Sequence, residues 1–224
     1  MTSTLLKKLN ISSEAKLMGM DFYVPFLVIL IAILYTCFSP DLINLQYITR
    51  IIEFVVCPIA AWWSVYLLVE HAKEKGKGKE TNLSSNYATS NLSYGLIRVT
   101  AFFIIFLAAL YTLFFAITLR YPYPYISLFN LSVIYVPQTI LYCYLGFFLM
   151  TISRNITIPL FILLAYVAFK YWTMGDSIIP LYNVMSFNID MQLYPRIIVL
   201  AIKNIAIALI LAIIGHFVLA KRKI

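Results

Sequence analysis

Six stretches of nearly unbroken apolar sequence run the length of this chain: Phe22–Phe38, Ile48–Val69, Leu96–Leu119, Leu128–Ile152, Ile156–Trp172 and Pro195–Ala220. A helix needs about 20 mainly apolar residues to cross a bilayer, and these stretches approach or exceed that length. Charged residues fall mostly in the gaps between them. In hydrocarbon every backbone N–H and C=O must find a partner within the protein, which leaves helices as the expected conformation for long unbroken apolar runs. The pattern predicts an all-α integral membrane protein with six transmembrane helices. A cytoplasmic segment at 1–21 precedes a six-helix domain over 22–220, and a basic tail at 221–224 closes the chain. The domain carries a polar loop at 70–95 and a second long connection at 173–194.

Composition supports the same solvent. At 62% hydrophobic and 12% charged, the chain departs from the soluble norm of about 45–50% apolar and about 25% charged. The net charge of +8 lies between apolar runs instead of along one soluble face, so it reads as a topology signal and excludes nucleic acid as a partner. Cys37, Cys57 and Cys143 all lie in apolar runs without a CxxC or Cys/His cluster. Each is expected to be a small buried hydrophobe, and neither a disulfide framework nor a zinc site follows. The first apolar run lacks a small-residue cleavage site and reads as a retained helix.

Lysine and arginine bias sets the orientation. With both termini cytoplasmic, the inner side holds Lys7, Lys8, Lys16, Lys73, Lys75, Lys77, Lys79, Arg98, Arg154, Lys221, Arg222 and Lys223. The outer side then holds Arg50, Arg120 and Arg196. The turn at Ser153-Arg154-Asn155 makes its two flanking helices antiparallel neighbours. On the outer side, the alternating Tyr and Pro of 120–127 predict an extended connection anchored at the interface. Pro25, Pro58, Pro137 and Pro159 each remove a backbone hydrogen bond and permit a kink.

Charge inside the membrane is the default functional signal, and it is scarce here. Arg50 and Glu53, at i and i+3, are expected to pair on one helix face near the outer surface. Lys170 is close enough to a helix end to snorkel to the headgroups. Lys203, about a third of the way into the last helix, is a candidate substrate-path residue, and snorkelling or an interhelical bond is its plainer role. Trp62 and Trp63, in mid-helix, are candidates for the same path, with packing as the alternative. The spans lack an acidic residue at mid-depth and show no paired broken helices, the marks of an ion-coupled carrier. Transport by this chain would draw on energy from elsewhere. His71 and His216 near the inner ends of two helices are the only candidates for an enzymatic site, and no H-E-x-x-H accompanies them. Gly76-Lys77-Gly78-Lys79-Glu80-Thr81 fails the phosphate-loop pattern: Lys73 stands at the first Gly position, and Glu80 where Ser or Thr belongs.

The layout resembles the permease subunit of bacterial ABC-2-type exporters. The shared features are a basic N-terminus, six spans, a short inner turn between the fourth and fifth, and a long outer segment before the sixth. In that family the loop after the second helix carries a coupling helix that docks on an ATPase. Its counterpart here runs from Glu70 to Val99, with Glu80-Thr81-Asn82-Leu83-Ser84-Ser85 as a partial match that lacks the family's proline. The resemblance implies a partner-docking surface formed by Thr81, Asn82, Leu83, Ser84, Ser85, Tyr87 and Tyr94. It also implies a separate cytoplasmic ABC ATPase holding ATP and Mg, a second permease copy or paralogue, and the bacterial plasma membrane as location. The chain itself would hold no cofactor and no catalytic or metal-binding residue. The expected function is export of an amphiphile such as a peptide, antibiotic or lipid, for instance in self-protection against an antimicrobial peptide. A non-transport membrane scaffold and a membrane-embedded enzyme are the alternatives.

Overall fold

The structure, a computed structural model, describes residues 15–16, 18–38, 43–74, 92–172 and 192–221. Among these residues it is helical with no strand. A 3₁₀ turn at Gly19–Phe22 leads into α1, Val24–Phe38. Next comes one continuous rod: α2 at Ile43–Ile51, a π-helical turn at Ile52–Val56 and α3 at Cys57–Glu74. The bundle is completed by α4 (Leu92–Arg120), α5 (Leu128–Ser153), α6 (Thr157–Trp172) and α7 (Pro195–Lys221). Among the described residues, four helices are long and apolar enough to cross a membrane: Leu45–Leu68, Gly95–Arg120, Leu128–Ser153 and Pro195–Ala220. Val24–Phe38 and Thr157–Trp172 are shorter apolar helices. The second apolar run is helical from Ile43, earlier than its hydropathy suggests, because Asn44, Gln46 and Thr49 interrupt the apolar pattern without breaking the helix.

α5 is the hub. α7 and α3 pack most extensively against it, and α1 packs chiefly on α4. Close approach is made possible by glycine, as is usual where helices meet in lipid. A Cβ on Gly146 of α5 would lie 2.9 Å from Ala61 Cβ and 3.1 Å from the Ala61 carbonyl of α3. One on Gly215 of α7 would lie 2.8 Å from Phe147 Cε1. At the same end of the bundle, a Cβ on Gly95 of α4 would stand 3.0 Å from Leu219 and 3.9 Å from Leu68. The ends of α3, α4 and α7 therefore converge.

Local chemistry fixes both ends of α5. Ser127 is extended and its Oγ accepts the Asn130 N–H at 3.1 Å, an N-cap. At the other end Arg154 takes a left-handed conformation, φ 55°, and its N–H donates to the Met150 carbonyl. This αL residue ends the helix as a glycine commonly does. Asn155 Oδ1 then accepts the Thr157 N–H at 3.0 Å and starts α6. The predicted tight antiparallel turn is present.

α6 is lightly held among the described residues. It touches α5 and, more lightly, α3, and Phe161, Leu164 and Trp172 on it are 70%, 69% and 87% exposed.

Candidate functional site

The rod formed by α2 and α3 changes hydrogen-bond register at its π turn, where the Cys57 N–H donates to the Ile52 carbonyl. Pro58 follows at once and has no N–H to continue either register. The widened turn carries Glu53, about 12 Å along the Leu45–Leu68 span at ~1.5 Å per residue. Turns of this kind inside α-helices occur frequently at functional sites.

Glu53 is fully buried, and its partner is not Arg50. Lys170 Nζ, from the last turn of α6, donates to Glu53 Oε1 at 2.5 Å. Gln138 of α5, the residue after Pro137, donates from Nε2 to Glu53 Oε2 at 3.2 Å and to the Ile134 carbonyl at 3.1 Å. Its own Oε1 accepts from Lys170 at 3.2 Å. The Phe54 ring lies 5.5 Å from the Lys170 ammonium, a cation–π distance, and Tyr171 meets Phe54 edge-on at 5.2 Å. Three helices thus contribute to one sealed polar cluster. Lys170 and Glu53 are 0% exposed and Gln138 is 4%.

Two expectations are corrected here. Arg50 is half-buried and stacks its guanidinium 5.7 Å from the Tyr47 ring instead of pairing with Glu53. Lys170 turns into the bundle instead of reaching for the headgroups. Both follow from the same cause. A carboxylate buried in an apolar bundle requires charge compensation, and Lys170 supplies it from a helix remote in sequence. Tyr135 and Cys57 line the same region, within Coulombic reach of Glu53. The Tyr135 hydroxyl is buried without a hydrogen-bond partner.

The other sequence candidates are dispersed. Trp63 is buried, and its Nε1 donates to the Phe22 carbonyl at 3.0 Å; half-buried Trp62 donates to the Asp21 carbonyl at 3.0 Å. Trp63 also stacks on Phe22 and meets Phe26, Phe102 and Phe106 edge-on. The pair fastens the turn before α1 to α3. Lys203 is exposed on the apolar outer face of α7, whereas its neighbour Asn204 is buried with Oδ1 lacking a partner. Thr81, Asn82, Leu83, Ser84, Ser85 and Tyr87 lie outside the described residues, and Tyr94 falls in the first turn of α4. His216 is half-buried, with Nδ1 enclosed and unpartnered; the His71 side chain is outside the described part. Cys57 and Cys143 are buried as expected, but Cys37 is exposed. Among the described residues no group of three or more His, Cys, Asp and Glu could hold a metal.

Local pattern does not reveal the cluster, because Glu53 has Arg50 three residues away, Lys170 stands near a helix end, and Gln138 has no local charged partner to mark it. Two signals were available. One was an acid and a base in different apolar stretches; the other was a glutamine beside a proline in an otherwise apolar helix.

No known protein family, curated protein or solved structure matches this chain.

Proposed function

We propose that this chain is the membrane-spanning permease subunit of an ABC-2-type exporter. It crosses the bacterial plasma membrane six times, with both termini cytoplasmic and α1 and α6 as the two short spans. It works with a second permease copy or paralogue and with a separate ATPase that binds ATP and Mg. The observation that carries this reading is the convergence of Leu68, Gly95 and Leu219. It gathers the two helices flanking the 70–95 loop and the helix leading to the basic tail at one end of the bundle. A partner gripping that loop would act on α3, α4 and α7 together, and α3 and α7 both lean on α5. ATP-driven closure of the partner pushes on 81–91 and shifts the bundle between inward- and outward-facing packings, each state favoured by differential binding. An amphiphilic cargo suits a protein whose helices present mainly apolar surface.

The test is copurification from native membranes, with the retained proteins identified by mass spectrometry and an ATP-binding cassette ATPase expected among them. The wild-type chain is expected to retain that ATPase, and Lys73→Glu/Asn82→Asp/Ser85→Asp to lose it. A triple variant that keeps a fully active complex overturns the docking surface. A wild-type chain that retains no ATPase overturns the exporter reading.

A further inference from the structure

We propose that Glu53, Gln138 and Phe54 form an ammonium-binding site, occupied at rest by Lys170, that a primary ammonium group on the exported amphiphile takes over when α6 withdraws. The cargo role rests on the exporter reading; the binding site does not.

The walls of the site match one chemical group. A primary ammonium has three N–H donors, no acceptor and a compact charge. It is offered a carboxylate oxygen at 2.5 Å, an amide oxygen at 3.2 Å and an aromatic ring at 5.5 Å. The walls are also fixed independently of their occupant. Gln138 is held by its own bonds to Glu53 Oε2 and the Ile134 carbonyl, so its Oε1 stays aimed at the same point when the lysine leaves.

The occupant is the movable part. Lys170 stands in the last turn of a lightly packed helix, on a four-carbon stem able to carry its charge outward to the headgroups. The neighbouring Tyr171 and Trp172 are 51% and 87% exposed. Glu53 has no comparable alternative, since it is buried on the rod. Departure of Lys170 alone would leave a carboxylate uncompensated in an apolar interior, at a large cost. Exchange with another ammonium avoids that cost. Release of α6 and capture of a cationic headgroup are therefore linked. The N–H bonds to Glu53 and Gln138 select primary amines over quaternary ones.

Lys170→Ala keeps Cβ and removes three methylenes and an ammonium, a group that butylammonium carries with one extra carbon. In nanodiscs, butylammonium is expected to raise the melting temperature of Lys170→Ala saturably. Half-saturation should lie at least about tenfold below that of wild type, with no such effect from tetramethylammonium or 1-butanol. If the variant folds poorly alone, butylammonium restores its monodisperse elution, which reads the same site. Absence of any saturable effect overturns the proposal, as does an equal effect in Glu53→Gln/Lys170→Ala.

A second arm uses the complex with its ATPase. Dodecylammonium is expected to stimulate ATP hydrolysis in wild type, with at least about a tenfold higher half-maximal concentration in Glu53→Gln, and dodecyl sulfate is not. Equal stimulation in both overturns the cargo role. If no ATPase associates, the exporter reading fails while the butylammonium arm still decides the site.

Discussion

Gly146 of α5 lies so close to Ser64 of α3 that a Cβ at that position would stand 2.6 Å from Ser64 Oγ. Ser64 Oγ is itself bonded to the Ala61 carbonyl at 2.7 Å. The contact joins the hub helix to the rod that carries Glu53, so the separation of these two helices positions the Glu53–Gln138 bond.

Gly146→Ala is expected to cost about 1–3 kcal/mol by overpacking, measured by equilibrium unfolding in mixed micelles. Adding Ser64→Ala should recover only part of the loss. The serine oxygen is removed, but the Ala61 Cβ and carbonyl remain 2.9 and 3.1 Å from the new methyl. Full recovery by the double variant would show that the helices do not meet through the Ala61 backbone.

Breaking the buried pair should be costly from either side. Lys170→Met leaves Glu53 uncompensated and Glu53→Gln leaves Lys170 so, each at about 3–5 kcal/mol. The double variant Glu53→Gln/Lys170→Met is expected to lose much less than the sum of the two. A coupling energy above about 1.5 kcal/mol in an unfolding cycle supports the contact. Strictly additive losses would remove it.

Trp63 ties the turn preceding α1 to the bundle. Trp63→Phe keeps an aromatic ring but loses the bond to the Phe22 carbonyl, at about 1 kcal/mol. Trp63→Ala also empties the aromatic cluster, at about 3–5 kcal/mol. Both should speed proteolysis around 18–23, and Trp63→Ala should do so more. Cleavage there at the wild-type rate in both variants would show that the tryptophan does not hold the turn.

How much of this was readable beforehand depends on whether the signal is periodic or pairwise. Apolar length marks six helical stretches, though not the polar start of the rod at Ile43, and the Ser153-Arg154-Asn155 turn marks the antiparallel pairing of α5 and α6, because both signals are local. The Glu53–Lys170 pair spans 117 positions. Nothing local distinguishes Arg50, three residues away and of the right sign, from the partner that burial selects. Nor does sequence announce a π turn, which here ends at Val56, two residues before Pro58. Trp62 and Trp63 were readable as packing residues, but the backbone carbonyls they bind at Asp21 and Phe22 precede α1 and carry no sequence mark.

Lys170 and Lys203 make the last prediction, because the same charge on two apolar helices meets opposite environments. Lys203 stands exposed on the apolar face of α7, free to bend its stem toward the headgroups. Lys203→Leu alters an exposed side chain and should change folding stability by no more than about 0.5 kcal/mol. Lys170→Leu should lose several kcal/mol, because its charge is the counterpart of Glu53. The comparison needs only the two variants and wild type unfolded side by side in the same micelles. A large loss at Lys203 would place an anionic partner on that face of α7. With stability unchanged, a fall in export by Lys203→Leu would assign the lysine to the cargo's route instead of to the fold.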